Sequence, residues 1–144
     1  MSILENINKA IIDEYKSGNQ ERRVLLQTVK AEILAKSKDL KRDLNEEEEI
    51  GVLRKEAKIR QESMEQFKQG GREDLVEKAR AEVEILSKFL PKEISPEEID
   101  AVVESTISRE DDKSFGNIMK KVMAELKGKA DGAIVAAEVK KKLG

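Results

Sequence analysis

The side chains in this sequence best placed to do chemistry are lysines. Eight of them (Lys113, Lys120, Lys121, Lys127, Lys129, Lys140, Lys141 and Lys142) stand near the C-terminus against only three acids, Glu125, Asp131 and Glu138, so the stretch from Lys113 onward carries +5. The whole chain carries −2, which leaves −7 on residues 1–112. A basic tail on an acidic body attracts polyanions, RNA phosphates among them. The same charges also suit a solvated lysine-rich face whose last lysines complement a helix dipole, and on charge alone that second reading is the simpler.

Little other chemistry is available. The chain has no Cys, hence no disulfide framework, zinc–thiolate site or thiol nucleophile, and no His, hence no imidazole base or ligand. Ser-His-Asp, Cys-His and histidine–metal sites are excluded. No phosphate-binding Walker loop or GxGxxG motif is present, and Gly70-Gly71 lacks the preceding strand that such motifs require. Ser63 is a lone serine among charged neighbours and reads as structural. The run Glu46–Glu49 reads as a solvated helix start, because nothing in it pre-organises carboxylates around a metal. The expectation is therefore no catalytic residue, no metal and no cofactor.

The elements that must position those lysines are helices. Charged residues make up 40% and apolar ones 38%, and the apolar ones recur with helical spacing, which argues for a folded, charge-rich helical protein rather than disorder. Ser2 and Glu5 have capping-box spacing ahead of Leu4, Ile7, Ile11 and Tyr15, a first helix closed by Gly18. Asn19 caps a second helix carrying Leu25, Val29 and Ile33 to about Ser37. Asn45 and Glu48 open a third, in which Ile50, Leu53, Ala57, Arg60, Met64 and Phe67 line one face. After Gly70-Gly71 a fourth helix, about Arg72 to Leu90, aligns Leu75, Ala79, Glu82, Leu86 and Phe89 until Pro91 stops it. These two fold back as an antiparallel hairpin that brings Arg60 and Glu82, the only charges in the two seams, into one layer. They either pair there or extend separately to water. Ser95-Pro96-x-Glu98 then starts a fifth helix with Ile99, Val103 and Thr106. A sixth carries Phe115, Met119, Val122 and Leu126, and a seventh, capped by Asp131 after Gly128, carries Val135, Val139 and Leu143. The fold class is all-α: an N-terminal helical domain over residues 1–92 with the long hairpin, and a small three-helix domain over residues 93–144, with the boundary between Pro91 and Ser95.

Certain words in the chain are distinctive. Lys58-x-Arg60-x-Glu62-Ser63-x-Glu65-x-Phe67, Gly70-Gly71-Arg72-x-Asp74-Leu75 and Phe89-Leu90-Pro91 resemble the YqeY family of small bacterial proteins. Phe115-Gly116-x-x-Met119-Lys120-Lys121-Val122-Met123 and Lys127-Gly128-Lys129-Ala130-Asp131-Gly132 resemble the domain that family shares with the C-terminus of the B subunit of the tRNA-dependent amidotransferase. The resemblance covers essentially the whole chain. It departs at Gln27, where the family pattern has an Arg, so no role of that Arg carries over.

The resemblance implies a non-catalytic accessory protein that binds tRNA or another structured RNA. In it Lys120, Lys121, Lys127 and Lys129 meet the phosphate backbone, Gly128 lets the loop approach closely, and Asp131 starts the last helix with its amide end toward a phosphate. Phe115 reads as core, so no base-stacking platform is expected. The family label also implies carbon–nitrogen ligase chemistry with glutamine as amide donor, inside an amidotransferase-like or aminoacyl-tRNA-related assembly. Neither the tRNA-carboxylate-phosphorylating part nor an amidase Ser-Ser-Lys arrangement is present. A third reading is a helical protein-interaction module using the hairpin. No run of about 18 apolar residues occurs, and MSILENINKAIIDEY is amphipathic and carries acids, so the expectation is a cytoplasmic protein without membrane association.

Overall fold

The structure is a computed structural model that describes residues 2–127 and 129–144. Among the described residues it is all-α, with seven helices: α1 (Ile3–Ser17), α2 (Gln20–Leu40), α3 (Glu46–Gln69), α4 (Glu73–Ser87), α5 (Pro96–Arg109), α6 (Phe115–Leu126) and α7 (Gly132–Leu143). The chain divides into two compact units, Met1–Leu90 and Pro91–Gly144.

In the first unit three of the four helix starts, those of α1, α2 and α3, have a local side-chain cap. Ser2 Oγ accepts from the Glu5 amide at 3.1 Å, and Asn19 Oδ1 accepts from the Arg22 amide at 3.1 Å. Between them Gly18 takes a left-handed conformation (φ 79°) that closes α1. Asn45 and Glu48 form a reciprocal capping box, with Asn45 Oδ1 accepting at 2.8 Å and Glu48 Oε1 accepting from the Asn45 amide at 3.0 Å. The start of α2 at Asn19 and its course to Ser37 agree with the sequence expectation, but its end does not. The helix runs to Leu40, about a turn past Ser37, because Lys41 itself adopts φ 57° and the Arg42 amide reaches back to the Ser37 carbonyl at 3.2 Å. This closure usually marks itself with Gly or Asn, and here nothing in the residue types announces it.

α3 and α4 form the expected hairpin, reversed at Gly70-Gly71, where Gly71 has φ 71° and the Arg72 amide donates to the Phe67 carbonyl at 2.9 Å. α4 ends at Ser87 rather than Leu90. The residues before Pro91 cannot continue an α-helix, so the chain tightens into three short-range turns through Leu90. On α4 the deepest residue of the first turn is Val76, 4% exposed, and not the expected Leu75, which is half-buried.

The core of this unit draws Ile3, Ile7 and Ile11 from α1, Leu25, Leu26, Val29 and Ile33 from α2, Ile50 and Leu53 from α3, and Leu86 from α4. Glu49 is buried with them at 4% exposure. Its Oε2 accepts from the Leu4 amide at 2.8 Å, a cap for α1 supplied from 45 residues away. Only part of the Glu46–Glu49 run is therefore solvated. The spacing of Tyr15 predicts the inner face of α1, yet it is 60% exposed, because α1 ends two residues later and the buried residues of that helix stop at Ile11.

The second unit is a three-helix cluster. Ser95 Oγ accepts from the Glu98 amide at 3.2 Å with Pro96 in the first turn, Ser114 caps α6, and Asp131 caps α7. Its core is Ile99 and Val103 from α5, Ile118, Val122 and Leu126 from α6, Ala130, and Val135 and Val139 from α7. Ile118, and not the neighbouring Met119, is the fully buried position of the first α6 turns. Phe115 is 40% exposed and not core. It shares the inner stripe of α6 but is its first residue, at the helix end and outside the buried cluster.

Candidate nucleic-acid interface

The eight tail lysines separate once the helices are drawn. Lys113 Nζ donates to the Ile107 and Glu110 carbonyls and so closes the end of α5. Lys142 pairs with Asp100 at 3.0 Å and with Glu104, tying α7 to α5, and the two carboxylates raise its pKa. Those two are structural. Glu138 shares a hydrogen bond with Asp100, which raises the Glu138 pKa and lowers that of Asp100.

Lys120, Lys121 and Lys127 are exposed and, among the described residues, take part in no ion pair. Lys120 lies on one edge of α6, and Lys127, the C-cap, stands seven residues further on, about 10 Å along the axis. Lys121 lies on the other edge beside Glu125, whose carboxylate is held by Arg109 at 3.4 Å. Lys127 ends α6 in a left-handed conformation, φ 53°. Lys129 is half-buried; its amide donates to the Leu126 carbonyl at 3.0 Å, and its own carbonyl accepts from the Ile94 amide at 3.4 Å. Gly128 lies outside the described residues. Asp131 Oδ1 accepts from the Ala133 amide at 2.9 Å, so its carboxylate already occupies the positive end of α7. Two further side chains meet at the start of α6. Phe115 is solvent-facing, and Lys140 Nζ sits 5.5 Å from its ring centroid.

Charge, counted by unit instead of by stretch, changes the picture. Residues 91–144 hold ten Lys and Arg against eleven Asp and Glu, and residues 1–90 hold eighteen against nineteen, so each unit is −1. The contrast of +5 and −7 between tail and body is thus a contrast inside the second unit: acids on α5 and its flanks, lysines on α6 and α7.

The hairpin holds the other candidate group. Arg60 Nε meets Glu82 Oε2 at 2.8 Å, and its Nη1 meets Glu56 Oε2 at 2.7 Å, with 18% of the Arg60 side chain exposed. Arg60 and Glu82 therefore pair, as their shared layer allows. Burial works against the guanidinium, but its hydrogen bonds to Glu82 and Glu56 outweigh that and hold its pKa above the ordinary value. Glu56 is the member sequence reasoning missed, although its spacing of four from Arg60 on one helix was visible. Ser63 Oγ donates to the Ile59 carbonyl at 2.9 Å, one turn back, where it serves the helix backbone. Among the described residues no group of three or more Asp and Glu side chains is placed to hold a metal ion.

Two small helical units with capped, charge-paired helices and an exposed lysine edge define an α-helical protein whose accessible chemistry is charge. Residues 4–143 match the family described as Yqey-like protein, and the chain belongs to that YqeY family. It is similar to a protein of Pyrenophora tritici-repentis named Altered inheritance of mitochondria protein 41, mitochondrial, with 28% identity over 148 residues that span 99% of this chain and 81% of that one. An uncharacterized protein of Schizosaccharomyces pombe is 32% identical over 89 residues, 62% of this chain and 72% of the other.

Proposed function

We propose that the chain is a non-catalytic accessory protein that binds tRNA or another structured RNA through its second unit. The observation that supports this reading most is the set Lys120, Lys121 and Lys127, three exposed ammonium groups on α6 and its C-cap with no ion-pair partner among the described residues. Unpaired lysines on a rigid helix suit phosphate oxygens, whose neutralisation releases counterions. Such contacts read the shape of a folded RNA more than its sequence. Asp131 serves by starting α7, and Lys129 by anchoring the preceding loop through its backbone.

Partnership with an amidotransferase-like or aminoacyl-tRNA-related enzyme follows naturally, since a lone phosphate-binding surface needs chemistry supplied from elsewhere. The cytoplasmic expectation belongs to this proposal; among the described residues no helix is long and apolar enough to cross a membrane, and the Pyrenophora relative carries the word mitochondrial in its name. Filter binding of unfractionated tRNA tests the reading. The wild-type chain should retain tRNA, and Lys120→Glu, Lys121→Glu and Lys127→Glu combined should lose it while keeping the helical circular dichroism of the wild type. Equal retention by both would defeat the assignment of RNA to this surface.

A further inference from the structure

The first unit hides a second basic surface beneath its net charge of −1. On α2, Arg23, Gln27, Lys30, Leu34 and Lys38 recur at steps of three and four and so share one face, with Lys41 following as the C-cap. The acids of the same helix, Glu21, Glu32 and Asp39, are segregated to the side turned toward the hairpin. Glu21 lines a hollow with Lys78 and Ala81 of α4, and Glu32 and Asp39 line another with Gly51 and Lys55 of α3. Beside the basic face Tyr15 of α1 meets Arg23 and Gln27, and the exposed stripe of α1 carries Lys9, Ile12 and Lys16 in line with Glu5, with Asp13 one turn after Lys9. None of the six basic side chains, Lys9, Lys16, Arg23, Lys30, Lys38 and Lys41, takes part in an ion pair among the described residues.

An aromatic side chain sits at the Arg23 end of this field. Tyr15 is 60% exposed, the Arg23 guanidinium stacks 4.3 Å from its ring centroid, and Gln27 Nε2 donates to its hydroxyl at 3.4 Å. A ring braced on one side by a guanidinium and open on the other is a stacking platform, and cations around it suit the phosphates on either side of a stacked base. Ile12 and Leu34, 58% and 47% exposed, do not turn the face into a membrane belt, because Gln27 and Lys30 interrupt the apolar surface on α2.

We propose that the α1–α2 face is a second RNA-contacting surface, in which Tyr15 stacks on an unpaired base while Lys16 and Lys30 meet phosphates beside it and Lys9 and Lys38, the latter about 16 Å along α2 from Gln27, meet phosphates further along the RNA. It shares with the reading of the second unit the class of ligand but none of the residues. The test uses the full chain and unfractionated tRNA as the probe. Lys9, Lys16 and Lys38 are exposed, and changing the three to Glu should weaken tRNA binding by about tenfold or more at moderate salt, with Gln at the same positions giving an intermediate loss and all variants keeping wild-type helical content. The chain has no tryptophan, so Tyr15→Trp creates a single reporter, and its emission should be quenched on tRNA binding. Loss of binding in this body triple, with the α6 triple inert, would support this surface and sink the assignment to the second unit. A body triple within about twofold of wild type, alongside loss in the α6 triple, would overturn this surface and leave the other standing. Quenching of the tryptophan by phosphatidylserine–phosphatidylcholine vesicles but not by tRNA would also overturn it, in favour of a membrane surface.

Discussion

At the scale of single residues, the consequential groups are charges taken out of water. Arg60 is held by Glu82 on the facing helix and by Glu56 one turn back, with 18% of its side chain exposed. Arg60→Ala leaves two carboxylates crowded without a cation and should cost about 2 kcal/mol, below the range for a fully buried pair because the group keeps some water. Glu82→Ala should cost less, since Glu56 remains. Arg60→Leu with Glu82→Leu should recover much of the loss. Urea unfolding of the four proteins measures this, and strictly additive single effects would show the pair to be uncoupled. Glu49 is a second such group. Glu49→Ala strips the Leu4 amide of its acceptor and should destabilise by about 1–3 kcal/mol, whereas Glu49→Gln keeps an acceptor oxygen and should lose less.

Glu48 makes a prediction in pH. The Arg42 guanidinium, 2.7 and 3.0 Å from its oxygens, and the Asn45 amide pull its pKa down from the usual carboxylate value to about 2. Because the folded value lies below the unfolded one, its contribution is fully present above the ordinary carboxylate range and is lost as pH falls toward 2. Arg42→Ala should flatten the acid side of the thermal midpoint against pH, and an unchanged profile would refute the link.

At the scale of elements, how legible each helix was depends on whether its signals are local. The hairpin was legible because Gly70-Gly71, two heptad-like seams and a matched Arg60 and Glu82 all lie within a short span. α5 was legible for the same reason, from Ser95, Pro96 and Glu98. The end of α2 was not, because Lys41 takes a left-handed conformation that its side chain does not advertise. Glu49 looked like one more acid of a helix start, since its partner, the Leu4 amide, is 45 residues distant. Phe115 and Tyr15 obeyed the helical period and still came out exposed, because periodicity assigns a face and says nothing of how far the opposing helix extends. The segment between α4 and α5 carries its own prediction: trypsin should cut first at Lys88 or Lys92, where the chain leaves helix, releasing a resistant helical fragment. First cleavage within α3 or α4 would contradict this organisation.

At the scale of the whole molecule, the sequence count of an acidic body and a basic tail proved a poor map of charge. It averaged over helices whose opposite sides differ in sign: α5 against α6 and α7 in one unit, the two sides of α2 in the other. The tail lysines were visible in sequence, but which of them were free was not, since Lys113 and Lys142 are committed to a helix end and to Asp100 and Glu104 only in three dimensions. The account's central claim is that the protein meets RNA by lysine–phosphate contacts. Its most direct test is the dissociation constant for tRNA measured across a series of salt concentrations. The three lysines of the second unit predict a log–log slope of about −3, the four further lysines of the α1–α2 face steepen it to about −6, and the slope becomes shallower by about one for each participating lysine removed. Binding that ignores salt, or no binding at low salt, would contradict it.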